Sequence, residues 1–145
     1  MKDFIEANKQ DAKWWFDKYP FLRIKNNSVY PWLEIGSDEC TWIDELPKGW
    51  IMGFCEKMCD ELMDALGDYA DEWIILQVKE KFAELRIYHA GCPSGIYEKV
   101  ESIINKYTKI SYNTCSVCGA RATKHSDGWV LPYCDKCYKK WVMKE

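Results

Sequence analysis

Apolar positions along the chain change their period several times, and each change marks an element. Between residues 3 and 19, Phe4, Asn8, Ala12, Trp15 and Tyr19 recur at helical spacing, with Ile5 and Phe16 widening the stripe. This predicts an amphipathic helix that Pro20 ends. From Phe21 to Trp42 no period survives. Short apolar stretches at 21–24 and 29–33 flank the turn signal Asn26-Asn27-Ser28, and the segment reads equally as a short hairpin or an ordered loop. A second helix is expected to start near Pro47, a residue favoured at the first helical position. Ile51, Phe54, Met58, Leu62, Ala65 and Leu66 form its apolar stripe, Asp60, Glu61 and Asp64 fall mostly opposite, and Gly67 supplies a C-cap.

After Gly67 the period drops to two. Ile74, Leu76 and Val78 alternate in one arm of segment 73–90, and Leu85 and Ile87 in the other, around a charged connection at residues 79–83. A hairpin is expected there. Ser94 can cap a third helix with Ile96, Val100, Ile103, Ile104 and Tyr107 on one face. The pattern as a whole predicts an α+β fold, with helices packed on a small antiparallel sheet. Its body spans residues 1–110, and a C-terminal module follows at 111–145.

That module carries the strongest chemical signal. Cys115-Ser-Val-Cys118 and Cys134-Asp-Lys-Cys137 are two C-x-x-C pairs separated by fifteen residues, a spacing that points to one structural zinc ion held by Cys115, Cys118, Cys134 and Cys137. A full shell of four thiolates leaves no coordination position for water, so the site is expected to be structural rather than catalytic. Gly119 stands where a tight turn wraps a metal. Ser126-Asp127-Gly128 joins segments 120–125 and 129–133 as a hairpin, and Cys134 and Cys137 open a last helix running to residues 141–143. Knuckle, hairpin and helix in this order resemble the treble-clef zinc fold.

Charge separates the two parts. From Lys106 onward there are eight Lys/Arg and three acids, so this part carries +5 of a net −3 and residues 1–105 carry −8. Part of the basic excess offsets the −2 of a zinc ion with four thiolates. Arg121, Lys124, Lys136, Lys139 and Lys140 are candidate phosphate contacts if the module binds nucleic acid. Trp14, Trp15, Phe16, Trp32, Trp42 and Trp50 crowd the first fifty residues. Some are expected to build the core and the rest a recognition surface, for which Trp32 and Trp42 are the candidates.

Other groups read as structural. Cys55 and Cys59, four apart, share a face with the apolar stripe and belong to the core. Cys40 lies in an acidic loop, with nothing in sequence to pair with it. His125 is expected on the surface of its hairpin, and His89 beside Cys92 lacks the orienting partner that a nucleophile pair requires. Glu80, Lys81, Glu84 and Arg86 do not show the E-x-K alternation of a metal-dependent nuclease, and no phosphate-binding loop or dinucleotide fingerprint occurs. No apolar run reaches membrane-span length, and residues 1–8 lack a signal-peptide core, so a cytoplasmic protein with no membrane partner is expected.

Val78-Lys-Glu-Lys-Phe-Ala-Glu-Leu-Arg-Ile-Tyr88, followed by a helix and a four-cysteine knuckle containing Gly128-Trp129, resembles small uncharacterised proteins of tailed bacteriophages and prophages. Ala83 stands where that pattern has Gly, and Ile87 where it has Phe. The likeness spans roughly residues 47–137. It implies a phage accessory protein in the cytoplasm of a bacterial host and no particular activity. A non-enzymatic protein that binds another protein, such as a host enzyme or defence component, is the leading expectation. A nucleic-acid-binding finger is the alternative; a nuclease or a nucleotide-sequestering protein comes after it.

Overall fold

The computed structural model describes residues 12–143. The helix expected over residues 3–19 therefore lies partly outside the described residues. Its described part, α1 (Ala12–Lys18), buries Ala12, Trp15 and Phe16 ahead of a short 3-10 turn at Pro20–Leu22. Residues 21–46 form an ordered loop rather than a hairpin. Backbone bonds from Gly36 N–H to Ile24 O (2.9 Å) and from Trp42 N–H to Leu22 O (3.0 Å) stitch it together. The Asn27 amide donates to Leu33 O (2.8 Å), and Arg23 pairs with Asp38 at 2.6 Å. Phe21, Leu22, Ile24, Trp42, Ile43 and Leu46 point from this loop into the core.

The second helix runs as α2 (Lys48–Trp50), a π-helical stretch (Ile51–Cys55) and α3 (Glu56–Leu66). Pro47 is its N-cap and not its first helical residue, with φ −54° and ψ 138°. Gly67 closes it at φ +54°, donating its N–H to Met63 O. The stripe is buried as its spacing demands, save for half-buried Ala65, and Cys55 and Cys59 are fully enclosed with it. Burial pushes both thiols well above their ordinary range, so they are neutral core groups.

Strands β1 (Ile74–Lys81) and β2 (Glu84–Ala90) form a two-stranded antiparallel sheet. The connection is only Phe82-Ala83, tighter than the expected 79–83, because residues 79–81 continue β1. Both turn residues have positive φ, 52° and 68°, as in a type I′ turn whose twist matches the strands. Glu80 steadies the turn, its carboxylate accepting the Ala83 N–H at 3.0 Å. A bulge between Ile75 and Gln77 shifts the pairing and with it the inward face. Ile75 and Val78 are the buried pair of β1, while Ile74 and Leu76 are half-buried, because the extra residue breaks strict alternation. On β2, Leu85 is buried and Ile87 packs against the core as expected.

Helix α4 (Ser94–Tyr112) crosses this sheet, burying Val100, Ile104 and Tyr107. Pro93 is its N-cap, and Ser94 is its first helical residue without a capping bond. Two hydroxyls lock the helix to β2: Ser111 Oγ accepts the Leu85 N–H (2.9 Å) and Thr108 Oγ1 donates to Leu85 O (3.0 Å). The fold is thus α+β, with helices on a small antiparallel sheet. Among the described residues no helix is long and apolar enough to cross a membrane.

Candidate metal centre and adjoining cleft

The last turn of α4 delivers Thr114, which bridges to Arg121 in antiparallel fashion and pinches the chain into a knuckle. Cys115 N–H donates to Ala120 O (2.7 Å), and Gly119 N–H returns to Cys115 O (3.1 Å). Gly119 takes φ +83° there, a conformation glycine adopts without cost. Short strands β3 (Lys124–His125) and β4 (Pro132–Tyr133) follow, then α5 (Asp135–Trp141), with Cys134 as the N-cap. The Cys134 sulfur accepts the Cys137 N–H at 3.4 Å, and the Cys115 sulfur accepts the Val117 N–H at 3.5 Å.

These elements bring the four predicted sulfurs, of Cys115, Cys118, Cys134 and Cys137, within 4.8 Å of one another. The Cys118 and Cys134 sulfurs stand 3.7 Å apart. A tetrahedral zinc with Zn–S bonds of about 2.3 Å separates its sulfurs by about 3.8 Å, so the donor set fits such an ion. The electrostatics agree. Burial raises the Cys115 thiol, but N–H donors of Cys118, Cys134 and Val117 outweigh it and bring the group down to about 7. Burial, then its three cysteine neighbours, push the Cys137 thiol up. Four thiols this close resist joint ionisation, and a bound divalent cation removes that resistance.

The knuckle is seated on the body through glycines. A methyl group at Gly49 would meet Cys115 O at 2.1 Å and the Ser116 carbonyl carbon at 2.7 Å. At Gly53 it would meet Thr114 Cγ2 at 3.0 Å and Gly119 O at 3.2 Å. Only bare backbone permits this approach. Gly49 N–H donates to Ser116 O (2.9 Å), and the buried Trp50 Nε1–H donates to Thr114 O (3.0 Å). Helix α4 also runs through the expected 110/111 boundary, so metal module and body share one continuous element.

The candidate phosphate contacts Arg121, Lys124, Lys136, Lys139 and Lys140 are all exposed on the module. Two of them lie over neighbouring rings, Lys124 over Tyr138 and Lys140 over Trp141. The two candidate recognition tryptophans separate. Trp32 is 76% exposed, whereas Trp42 is only 4% exposed and belongs to the core. The reading of Trp42 as an exposed surface contact is therefore corrected: its ring is buried and forms part of the floor of the cleft described below.

His125 stands apart from the sulfur cluster, stacked on Tyr112 at 4.0 Å and bonded through Nε2 to Tyr112 O. His89 has both ring nitrogens engaged. Trp73 Nε1–H donates to its Nδ1 (2.9 Å), so Nε2 carries the proton and donates to the Glu101 carboxylate (3.2 Å). No nitrogen remains to activate Cys92, whose thiol burial raises, with the Glu101 charge adding to the effect.

A cleft of about 630 Å³ opens where the 21–46 loop, β1 and the metal-module hairpin meet. Tyr30, Trp32 and Trp129 contribute aromatic surface, Val78 and Trp42 lie deeper, and Glu45 and Glu80 add carboxylates. Trp129 is 77% exposed. Sequence reasoning noted it only as part of a family mark, although a tryptophan beside a hairpin turn is itself a signal of a displayed ring. No family model, curated protein or solved structure matches the chain.

Proposed function

We propose that the protein is a non-enzymatic binding module, that one structural zinc ion occupies the four-cysteine centre in a treble-clef-like finger, and that another protein docks in the aromatic cleft. The observation that carries this reading is the convergence of two strongly exposed tryptophans, Trp32 and Trp129, from separate parts of the chain on one cleft. Exposed indoles grouped in a concavity favour recognition, because a partner's side chains bury large area there at little conformational cost. Closure of the metal shell assigns the ion to holding the Trp129 hairpin in place. The likeness to tailed-phage proteins supplies the setting, with a bacterial host protein as the partner and the host cytoplasm as the compartment.

Zinc-loaded protein and its Trp32→Ser/Trp129→Ser variant, each immobilised and exposed to bacterial lysate, test this. The expected result is a partner retained by the native chain and lost from the variant. A partner retained equally by both, or none from the native chain, overturns the reading.

A second reading rests on the five exposed basic side chains of the module. Contact of Arg121, Lys124, Lys136, Lys139 and Lys140 with phosphates predicts binding to nucleic acid that weakens steeply with salt. Gel shifts at low ionic strength that show no complex remove it.

A further inference from the structure

We infer that the cleft receives a basic peptide segment, with an arginine side chain of the partner lying against the indoles of Trp32 and Trp129; this rests on the protein-binding reading above and names the partner's chemistry. Charge complementarity is the first argument. Glu45 and Glu80 line the cleft beside Lys79, together with Asp44, whose carboxylate is already bonded to the Thr41 N–H and hydroxyl, so Glu45 and Glu80 are the acids offered to a ligand. That lysine's ammonium lies 5.9 Å from the ring centroid of Tyr88, a residue outside the cleft lining. By sequence, residues 1–105, which supply most of the lining, carry a net −8, and the part from Lys106 onward, which supplies Trp129, carries +5. A phosphate or carboxylate ligand meets repulsion here, and a cation meets attraction.

The aromatic surface selects among cations. A guanidinium is planar and weakly hydrated, so it stacks on an indole while its edge N–H groups reach carboxylates. Carboxylates beside exposed indoles match that dual demand. The same chain already uses the contact elsewhere, with the Arg23 guanidinium 4.3 Å from the Phe16 ring centroid and its edge paired to Asp38.

The walls are built before any ligand arrives. Tyr30 is fixed to β1 through the Gln77 amide, which donates to its hydroxyl at 2.6 Å, and Trp32 packs edge-on against Tyr30 at 5.3 Å. On the opposite side, Ser126 Oγ donates to Trp129 O at 2.7 Å and accepts the Leu131 N–H at 3.0 Å, holding the loop that displays the indole. Preorganised walls reduce the ordering cost of binding. Deeper down, the Trp42 Nε1–H is buried with no acceptor among the described residues. An unpaired buried donor beneath a cleft is a group that the carbonyl of a segment pressing between the walls can satisfy.

The test uses the zinc-loaded full chain, following tryptophan indole N–H signals by two-dimensional NMR. Single Trp→Phe variants assign the signals. The probe is the peptide acetyl-Gly-Arg-Gly-Arg-Gly-amide, and its citrulline counterpart serves as the uncharged isostere. Saturable shifts of the Trp32 and Trp129 indoles with the arginine peptide are expected, with affinity at least about tenfold weaker for citrulline. Glu45→Gln/Glu80→Gln should weaken arginine binding about fivefold while leaving the fold intact, since glutamine keeps an acceptor for the Ala83 N–H. Equal affinity for both peptides, or shifts confined to other indoles, overturns the inference. If lysate capture still depends on Trp32 and Trp129 in that event, the binding reading stands and only the cationic partner falls. If capture fails as well, both fall.

Discussion

The hairpins β1–β2 and β3–β4 share a topology and differ in almost everything that holds them. The first has strands of eight and seven residues, and Ile75, Val78 and Leu85 are buried in the core. Each such side chain contributes about 1.5–3 kcal/mol on burial. The second has two residues in each strand and buries only Pro132 of the four. Its order comes from polar bonds, including Thr123 N–H to Tyr133 O and Thr123 Oγ1 to the Asp135 carboxylate, and from the four-sulfur centre it joins. A short hairpin without an apolar face is marginal in water. One hairpin is therefore held by hydrophobic burial, the other by polar bonds beside a four-cysteine cluster.

Metal removal should separate them most sharply. Structural zinc contributes on the order of 10–16 kcal/mol in small fingers. Chelation, or Cys115→Ser, should abolish amide-exchange protection across β3–β4 and α5 while β1–β2 and α4 stay protected. Protection lost equally in both hairpins would show that the body, too, depends on the metal. Next in size is the seam between them. Gly49→Ala forces a methyl into Cys115 O and should cost about 3 kcal/mol or more in a urea titration, because its neighbours are backbone and cannot turn aside. Gly95→Ala is the control: nothing lies within 4 Å, and a helical alanine should gain up to about 1 kcal/mol.

A smaller effect separates the hairpins by pH. Burial first, opposed by Glu101, holds His89 below its ordinary pKa in the folded protein. The unfolded chain then binds the proton more readily, so stability falls as pH drops below about 6.5 and keeps falling down to the folded value. His89→Gln should flatten that part of the pH dependence of the urea midpoint, while acid loss of the metal site, which needs thiolates, remains. An unchanged slope would place the titrating group elsewhere. Smallest is the β1–β2 turn. Asparagine tolerates positive φ better than phenylalanine, and Phe82 is mostly exposed, so Phe82→Asn should raise the midpoint by an amount worth about 0.5–1 kcal/mol. A lowered midpoint would mean that the Phe82 ring contributes more than its backbone costs.

The same contrast explains what was legible in the sequence. The four-cysteine cluster could be read because the spacing of each pair is local, and the helices 48–66 and 94–112 because their apolar periods persist. The bulge at Leu76 could not, since alternation carries no mark of an inserted residue. The assignment of Trp42 to a surface failed for a related reason. Composition counts indoles, but only the tertiary packing of the 21–46 loop decides which one turns inward. The cleft was invisible because Trp32 and Trp129 are far apart in the chain and meet only after the knuckle seats on Gly49 and Gly53.

That seating has a consequence for synthesis. Gly49 lies in the first turn of its helix, and its N–H is satisfied by the carbonyl of Ser116, which leaves the ribosome much later. Until then the helix start is exposed and one wall of the cleft is missing. On the proposed reading, ion capture by Cys115, Cys118, Cys134 and Cys137 completes the molecule, and a nascent chain starved of metal would carry its body without the assembled cleft.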